Sequence, residues 1–394
     1  MNHFNKPINR LNISSIKWDY IKKNEYHFEK TKKDTILPFW VADSDYMTAK
    51  PILDALTSRV KNGTFGYTYI DHEYLTIVKD WVWRKYHYEI ENNWIITSPG
   101  VVTALFFAVS ALTTKEANII VQSPVYNPFY SVITNNNRRI VENKLIANEN
   151  TYEMDFENLE TKLKAGAKMM ILCNPHNPVG RVWTAAEIKK VVDLCKQYQC
   201  LLVSDEIHCD LVFKEHPFTS VGQFFDVYDQ MILCTAPSKT FNIAGLMTSN
   251  IIIKDKKLRE KFVHELAIRS LQEPNVLGLE ACKAAYTKCD DWLEAQIEHI
   301  HQNANKVYRY FKKNIPNARI AKLEGTYLMW IDMRFMKLTS KELVSGLLDY
   351  GILVNSGAMY GTDYDGFIRF NIACSQQQLQ AGLEIIGKFV AEYK

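Results

Sequence analysis

A series of short, unbroken apolar runs constrains the fold of this 394-residue chain more than any other feature. The runs lie in the middle of the chain, at residues 118–122, 168–173, 200–204, 230–234 and 250–253. Because apolar and polar residues do not alternate in them, they are typical of strands covered on both faces. Between two runs, Thr184 and Glu187 form a capping-box signature before apolar residues at helical spacing. Strand, helix and strand in this order predict a parallel sheet with crossover helices.

The pattern changes toward the C-terminus, and the chain is too long for one ordinary core. Strand-like runs occur at 327–331, 351–354 and 367–370, and helices are predicted over 292–314, over 340–350 and from Ser375. We therefore predict an α/β fold with a large domain over residues 48–285 and a smaller α+β domain over 286–394. Residues 1–47 are predicted to form an N-terminal arm and part of the small domain, packed on that domain or on a partner chain.

Composition and charge exclude several classes of protein. The net charge of +3 and the lack of a Lys/Arg block argue against a nucleic-acid binder. The eight cysteines show no C-x-x-C spacing, and several lie in apolar runs, which predicts buried, reduced thiols. The N-terminus lacks the apolar core of a signal peptide, and the longest apolar stretch, 103–112, is too short to cross a bilayer. We expect a cytoplasmic protein without a membrane partner.

Polar residues follow several predicted strands, where ligands gather in open α/β sheets. They are Asn177 in a Pro- and Gly-rich turn, Asp205 at a strand tip, Lys239 in a Ser/Pro loop, and Gly100 before a helix. Taken singly, each has an ordinary explanation: a turn residue, a capping carboxylate, a surface lysine. A lysine just beyond a buried strand also suits an imine-forming nucleophile, and a glycine turn opening a helix suits a phosphate.

In combination, these motifs resemble the class I/II aminotransferases, enzymes of fold type I that depend on pyridoxal 5'-phosphate (PLP). The motifs are residues 174–180, 205–208, 238–242 and 244–246, with Arg369 in 367–371. Within that family the chain looks like the cystathionine β-lyase branch of the MalY/PatB type. That likeness rests on residues 40–43, 65–68, 99–102, 205–208 and 238–246. It runs from about residue 36 to 375 and implies an aspartate-aminotransferase-like fold with PLP as cofactor.

The resemblance implies a role for each residue around the cofactor ring. Lys239 would form the imine with PLP and move the Cα proton of the substrate. Asp205 would pair with the pyridine nitrogen and Asn177 with the phenolic oxygen of the ring. His208 stands where aminotransferases commonly carry a tyrosine and would contact the same oxygen. Tyr126 would stack on the ring.

The resemblance also assigns the phosphate of PLP to the backbone N–H groups of Val101 and Val102, the hydroxyl of Ser238, and Tyr67. The family counterpart of Tyr67 reaches across a dimer interface, which implies a homodimer with shared sites. Many relatives place a serine and an arginine on the phosphate where this chain has Ala236 and Met247. Phosphate binding would then depend on the helix N-terminus, or the affinity would be lower.

For the substrate, the resemblance implies that Arg369 grips the α-carboxylate with a bidentate fork, beside Asn177 and Tyr126. Asp43 is expected to line the mouth of the pocket, although Ser44 departs from the usual sequence of that block. The substrate would be a small amino acid, and no metal is expected.

The implied reaction is α,β-elimination on an S-substituted cysteine such as L-cystathionine, giving a thiol (homocysteine), pyruvate and ammonia, a step of methionine biosynthesis. Two alternatives stay open. A true aminotransferase would use the same lysine, aspartate, asparagine and arginine. A regulatory protein could keep the PLP fold and act by binding a transcription factor.

Overall fold

The computed structural model describes residues 3–20 and 36–393. Its strands are β1 (Leu37–Pro38), β2 (Ile95–Ser98), β3 (Asn118–Val121), β4 (Arg139–Glu142), β5 (Ile146–Asn148), β6 (Thr151–Glu153), β7 (Met169–Cys173), β8 (Leu201–Asp205), β9 (Met231–Thr235), β10 (Ser249–Ile252), β11 (Arg319–Ile320), β12 (Leu328–Asp332), β13 (Ile352–Leu353), β14 (Asn355–Ser356) and β15 (Phe367–Asn371). Its helices are α1 (Lys50–Asn62), α2 (His72–Tyr86), α3 (Val101–Leu112), α4 (Pro128–Thr134), α5 (Phe156–Lys164), α6 (Ala185–Gln197), α7 (Pro237–Thr240), α8 (Lys256–Ala267), α9 (Val276–Lys288), α10 (Asp290–Asn314), α11 (Ser340–Asp349) and α12 (Gln376–Glu392).

A seven-stranded sheet with the strand order β2-β10-β9-β8-β7-β3-β4 forms the centre of the molecule. The neighbours β9, β8, β7, β3 and β4 pair in parallel. Helix α6 joins β7 to β8 and begins with the predicted capping box of Thr184 and Glu187. The mainly parallel sheet predicted from the apolar runs is therefore confirmed.

One predicted strand runs against the others. Strand β10 pairs antiparallel with both β9 and β2. The segment between β9 and β10 contains only the four-residue helix α7 and one short 3-10 turn. A parallel connection needs a crossover of a dozen or more residues, usually an α-helix that packs on the face of the sheet. Residues 236–248 are numerous enough, but they contain no helix of that length, and the chain turns back instead. Strands β2 and β4 were not predicted; β4 lies at an edge and is not fully buried.

Helices cover both faces of the central sheet. In β7, Met169, Ile171 and Cys173 join an apolar cluster with residues of α3, α4 and α8. The alternate residues Met170 and Leu172 join a second cluster with residues of α5, α6 and α9. Side chains of a strand alternate between faces, so the unbroken apolar run reflects burial on both sides.

A four-stranded antiparallel sheet of order β11-β12-β15-β14 is built from the C-terminal part of the chain. It contains the predicted strands around residues 328–332 and 367–371. The third predicted run contributes β13, which pairs in parallel with β1 outside this sheet. The segment just before residue 47 thus joins the C-terminal region. The domain boundaries after residues 47 and 285 remain a prediction.

The first described segment of the predicted N-terminal arm, residues 3–20, packs on the C-terminal region. The ring of Phe4 lies 5.3 Å from that of Trp292 and 5.6 Å from that of His299. Asn5 Oδ1 accepts a 3.0 Å hydrogen bond from the backbone N–H of Gln376. Residues 1–2 and 21–35, also included in the predicted arm, lie outside the described residues.

All eight cysteines are buried and free, as the sequence predicted. Among the described residues, no helix has the length and apolar character needed to cross a membrane.

Candidate active site

The carboxyl ends of β7, β8 and β9 and the start of α3 enclose a cavity of about 200 Å³. Its lining is mostly apolar, with a few polar groups among the walls. The residues that line it are Ala42, Pro99, Gly100, Val101, Val102, Thr103, Tyr126, Cys173, Asn177, Asp205, Ile207, His208, Ser238, Lys239, Ala244 and Met247. The residues predicted from separate strand ends therefore meet in one place, as expected for an open α/β sheet.

A larger, more open cleft of about 920 Å³ lies at the other end of these strands. Lys168, Leu201 and Gln230, which line it, stand at or just before the first residues of β7, β8 and β9. Ligands of open α/β sheets bind at the carboxyl ends of the strands. We therefore assign the chemistry to the smaller cavity.

Lys239 lies in α7, immediately after β9. Its Nζ donates a 2.6 Å hydrogen bond to the backbone carbonyl of Ala42. Burial lowers the pKa of Lys239 to about 8, although Asp43 and Asp205 oppose this effect. A lysine with a lowered pKa supplies a neutral amine near neutral pH, which an imine-forming nucleophile and a general base both require.

Asp205, the last residue of β8, is 3% exposed. Its Oδ1 accepts a 3.1 Å hydrogen bond from the N–H of Ile207, and none of the ion pairs between described residues includes it. Burial raises the pKa of Asp205 to about 7. A buried carboxylate without a cation is costly, so this group suits a ligand that brings an N–H of its own.

Arg369 lies in β15, reaches the large sheet, and is 3% exposed. Its Nη2 donates to the carbonyl of Trp40 at 2.6 Å, and its Nη1 to Oδ1 of Asn177 at 3.3 Å. Within the described part of the chain, Nε has no hydrogen-bond partner. The ion pairs between described residues also leave Arg369 out, so a buried guanidinium faces Asn177 without a carboxylate. Such a group is prepared for an anion.

His208 and Tyr126 complete the walls. Burial holds the pKa of His208 well below its usual value, with Lys239 and Arg369 acting in the same direction, so the imidazole is neutral. Among the described residues, nothing pairs with His208 Nδ1. Burial raises the pKa of Tyr126 to about 12, which keeps its phenol protonated. Both side chains line the cavity and present aromatic rings to it.

The opposite end of the cavity is formed by the first turn of α3 and by Ser238. Gly100 precedes the helix with a φ of 97°, a backbone conformation that residues other than glycine rarely adopt. The first N–H groups of a helix have no partner within it and carry the positive end of its dipole. The N–H groups of Val101 and Val102 therefore suit an anion. Met247 lines this end, so the chain supplies no guanidinium at that position.

Two of the residues predicted for the site, Tyr67 and Asp43, do not line the cavity in the single chain. Tyr67 is fully exposed and does not line the cavity. Asp43 is also absent from the lining, because its carboxylate turns toward the arm and pairs with Arg10 at 2.6 Å. The sequence could not predict the ion pair of Asp43 with Arg10, because the arm residues show no pattern that marks them as partners of Asp43.

Sequence reasoning missed the backbone of residues 40–44 and the side chains of Tyr327 and Asn242. Tyr327 donates to the carbonyl of Ala42 at 3.0 Å. Asn242 exchanges hydrogen bonds with the N–H and carbonyl of Ser44, at 3.1 and 2.9 Å. Asn242 belongs to the quoted lysine motif, so its presence there was the available signal. A backbone carbonyl leaves no signal in a sequence.

The raised pKa of Asp205 predicts how the cofactor-free protein responds to pH. The folded state binds more protons than the unfolded state between the ordinary pKa of 3.8 and about 7, so stability falls as pH rises through this window. Asp205→Asn removes the ionisation. We expect the variant to lose less stability than wild type between pH 4 and pH 8, by on the order of 2 kcal/mol, in urea unfolding. Equal losses in the two proteins would contradict the assignment.

The chain is similar to known proteins in both sequence and structure. The family model "Aminotransferase class I and II" matches residues 22–386. The chain is 39% identical to cystathionine beta-lyase PatB of Bacillus subtilis, over 98% of both chains. Its structure resembles cystalysin from Treponema denticola, solved with a pyridoxal 5'-phosphate cofactor, with a TM-score of 0.95 and 34% identity over 100% of both chains. The PLP-bound C-S lyase from Staphylococcus hominis gives a TM-score of 0.92 with 28% identity, covering 99% of this chain and 98% of that one.

This chain belongs to the aminotransferase class I and II family. The aspartate-aminotransferase-like fold predicted from the sequence is confirmed, and so is the resemblance to the cystathionine β-lyase branch.

Proposed function

We propose that this protein is a PLP-dependent carbon–sulfur lyase of the cystathionine β-lyase type, which eliminates a thiol from an S-substituted cysteine. The observation that carries the proposal is the single cavity that brings Lys239, Asp205, Asn177 and His208 together beside Arg369. The relatives named as lyases, which match 98% and 99% of the chain, support the reaction type.

The side chains of the cavity fit PLP. The buried carboxylate of Asp205 forms no ion pair with another described residue and would pair with the protonated pyridine nitrogen. Nδ1 of His208 and the Nε of Arg369 lack partners among the described residues. The N-terminus of α3 would hold the phosphate, with Ser238 beside it. When bound, PLP supplies an electron sink for the charge that develops at the substrate Cα.

Each of these residues then has a defined task. Lys239 would hold the cofactor, and its neutral Nζ would remove the Cα proton of the substrate. Asn177 orients the ring, and Tyr126 forms the wall against which the ring lies. The thiolate leaves from Cβ, and the released aminoacrylate hydrolyses to pyruvate and ammonia. The mostly apolar walls exclude water from the proton transfer.

Arg369 is assigned to the substrate α-carboxylate. Arg369→Lys keeps one positive charge but loses the planar fork, so we expect KM for L-cystathionine to rise roughly 30-fold while kcat changes less. Steady-state kinetics measures both constants. As a matched control, Arg334→Lys alters an arginine whose partner is the nearby Asp332, and it should leave KM unchanged. An unchanged KM in Arg369→Lys would remove the residue from the substrate site.

We propose that the enzyme is a homodimer with shared sites. Phe65, Tyr67 and Tyr69 are 58%, 102% and 79% exposed, which is unusual for neighbouring aromatic residues of one chain. A second copy would cover them and could bring its Tyr67 to the phosphate end of the cavity. The eight free, buried thiols suit a reducing compartment such as the cytoplasm. With cystathionine as substrate, homocysteine is the thiol released, which would place the reaction in methionine biosynthesis.

The absorbance of the bound cofactor distinguishes this proposal from transamination. On addition of L-cystathionine without a keto acid, a lyase returns to its starting spectrum once the substrate is consumed. An aminotransferase would convert the cofactor to its pyridoxamine form and stop after one half-reaction, which would contradict the proposal.

A further inference from the structure

Residues 40–46, which we call the strap, contribute Ala42 to the wall of the cavity. Side chains from several elements donate hydrogen bonds to the carbonyl groups of the strap. The carbonyl of Trp40 accepts from Arg369 at 2.6 Å, and that of Ala42 from Lys239 at 2.6 Å. Asn371 Nδ2 donates to the carbonyls of Val41 and Asp43, at 2.6 and 2.8 Å. The strap therefore contacts both the lysine and the arginine of the proposed site through its backbone.

The N-terminal arm holds the strap from the other side. Arg10 bridges two carboxylates, with Nη2 2.6 Å from Asp43 Oδ2 and Nη1 2.7 Å from Asp45 Oδ1. Lys17 Nζ lies 2.9 Å from Asp45 Oδ2 and donates to the carbonyl of Asp43 at 3.1 Å. Arg10 also donates to the carbonyl of Ser44 at 3.0 Å.

This arm cluster, made of Arg10, Lys17, Asp43 and Asp45, is deeply placed and its formal charges cancel. Lys17 is 1% exposed and Asp45 4%. Trp18 Nε1 adds a 2.8 Å hydrogen bond to Asp45. Buried charges of this kind are tolerated because they are paired and hydrogen-bonded, and removal of one partner leaves the other uncompensated. The arm is thus fixed to the strap by a specific network.

We propose that Arg10 and Lys17 are positioning residues for the reaction. By fixing the strap, they hold the carbonyl of Ala42 against Lys239 Nζ and the carbonyl of Trp40 against Arg369. Neither Arg10 nor Lys17 lines the cavity, so they act only through the strap. This inference rests on the proposed roles of Lys239 and Arg369.

The position of the Ala42 carbonyl affects how Lys239 can act as the base. As the proposed base, Lys239 would carry a free amine on a flexible four-carbon stem, and this amine would have to face the Cα proton of the substrate. The carbonyl of Ala42 restricts that amine, and a backbone carbonyl moves only if the chain moves. A misplacement of about 1 Å from a change outside the site can cost 100-fold in rate.

The arm cluster also sets the charge near Lys239. The charged or titratable groups near the lysine are Asp43 on the strap, Asp205 and His208 at or just after the end of β8, Arg369 on β15, and Tyr327, whose hydroxyl shares the carbonyl of Ala42 with Lys239. Of these, Asp43 is the one that the arm neutralises, through Arg10 and Lys17. Loss of an arm cation therefore leaves more negative charge beside the lysine, and loss of the Asp43 carboxylate leaves less.

The test uses the PLP-loaded enzyme and two readouts. For Arg10→Gln we expect kcat/KM for L-cystathionine to fall about 10-fold. In the substrate-free enzyme, the pH midpoint of the cofactor absorbance should rise by roughly half a unit. The reason is that extra negative charge favours the protonated form of the nitrogen through which Lys239 would hold the cofactor. For Asp43→Asn the midpoint should move down by a similar amount. Arg10→Lys, which keeps the charge, should show a smaller loss of kcat/KM than Arg10→Gln and no shift.

The midpoint should shift upward in Arg10→Gln and downward in Asp43→Asn. A general loss of structure would instead move the midpoint in the same direction in both variants. The exposed pair of Lys50 with Asp54 offers a control, since Lys50→Gln should change neither readout. Midpoints that move together, or a kcat/KM within twofold of wild type in Arg10→Gln, would overturn the inference. If wild type performs no elimination, the proposed function fails, while the substrate-free titration still decides this inference.

Discussion

Lys239→Ala is expected to abolish turnover, lowering kcat/KM for L-cystathionine by at least about 10⁴-fold. The variant loses both the covalent attachment of PLP and the base that removes the Cα proton. The yellow colour of the lysine-bound cofactor should disappear from the purified protein. Steady-state pyruvate formation and the absorbance spectrum measure the two losses separately.

Lys239→Arg is the matched control for this prediction. Arginine keeps a positive charge between Asp43 and Asp205, but it stays protonated in proteins and cannot act as the base. If Lys239 served only as a counter-charge for neighbouring carboxylates, Lys239→Arg would restore activity. We expect it to be as inactive as Lys239→Ala. Activity within 10-fold of wild type in either variant would contradict the assignment.

Asp205→Asn is expected to lower kcat by roughly 100- to 1000-fold, with a smaller change in KM. The asparagine keeps the shape of the side chain but cannot stabilise a protonated pyridine nitrogen, so less of the charge at Cα can be delocalised. Single-turnover measurement of proton removal from the substrate Cα isolates this step from binding.

The neighbouring Glu206 provides a control for burial alone. It is 1% exposed, and burial raises its pKa to about 8, but it faces away from the cavity. Its Oε1 accepts hydrogen bonds from Val221 at 2.9 Å and Ser204 at 3.0 Å. Glu206→Gln should affect stability and leave kcat within a few-fold of wild type. Equal losses of kcat in Glu206→Gln and Asp205→Asn would show that a general disturbance of β8 explains both.

The central sheet could be predicted because most of its strands are buried on both faces. Such strands consist of consecutive apolar residues, which are visible in the sequence. Strand β4 gave no such run, since it is an edge strand with partly exposed residues. The direction of β10 could not be predicted, because the connection from β9 is long enough for a crossover and its sequence does not show that a crossover helix is absent. Cys173 lines the cavity although its run predicted only a buried strand.

The site was predictable where side chains follow strands and belong to a motif, as Asn177, Asp205 and Lys239 do. It was not predictable where the chain itself makes the contact. The carbonyls of Trp40 and Ala42 bind Arg369 and Lys239 in this way. The ion pairs of Asp43 join residues more than 25 positions apart, and nothing local indicates that Arg10 and Lys17 meet there.

If this cavity performs β-elimination of a thiol, the purified, PLP-loaded protein forms pyruvate from L-cystathionine with no keto-acid acceptor present. The most direct test is to measure this pyruvate. We expect sustained pyruvate, over many turnovers per site, with an equal amount of thiol. Absence of pyruvate, with conversion of the cofactor to its pyridoxamine form, would contradict it and would identify the protein as an aminotransferase.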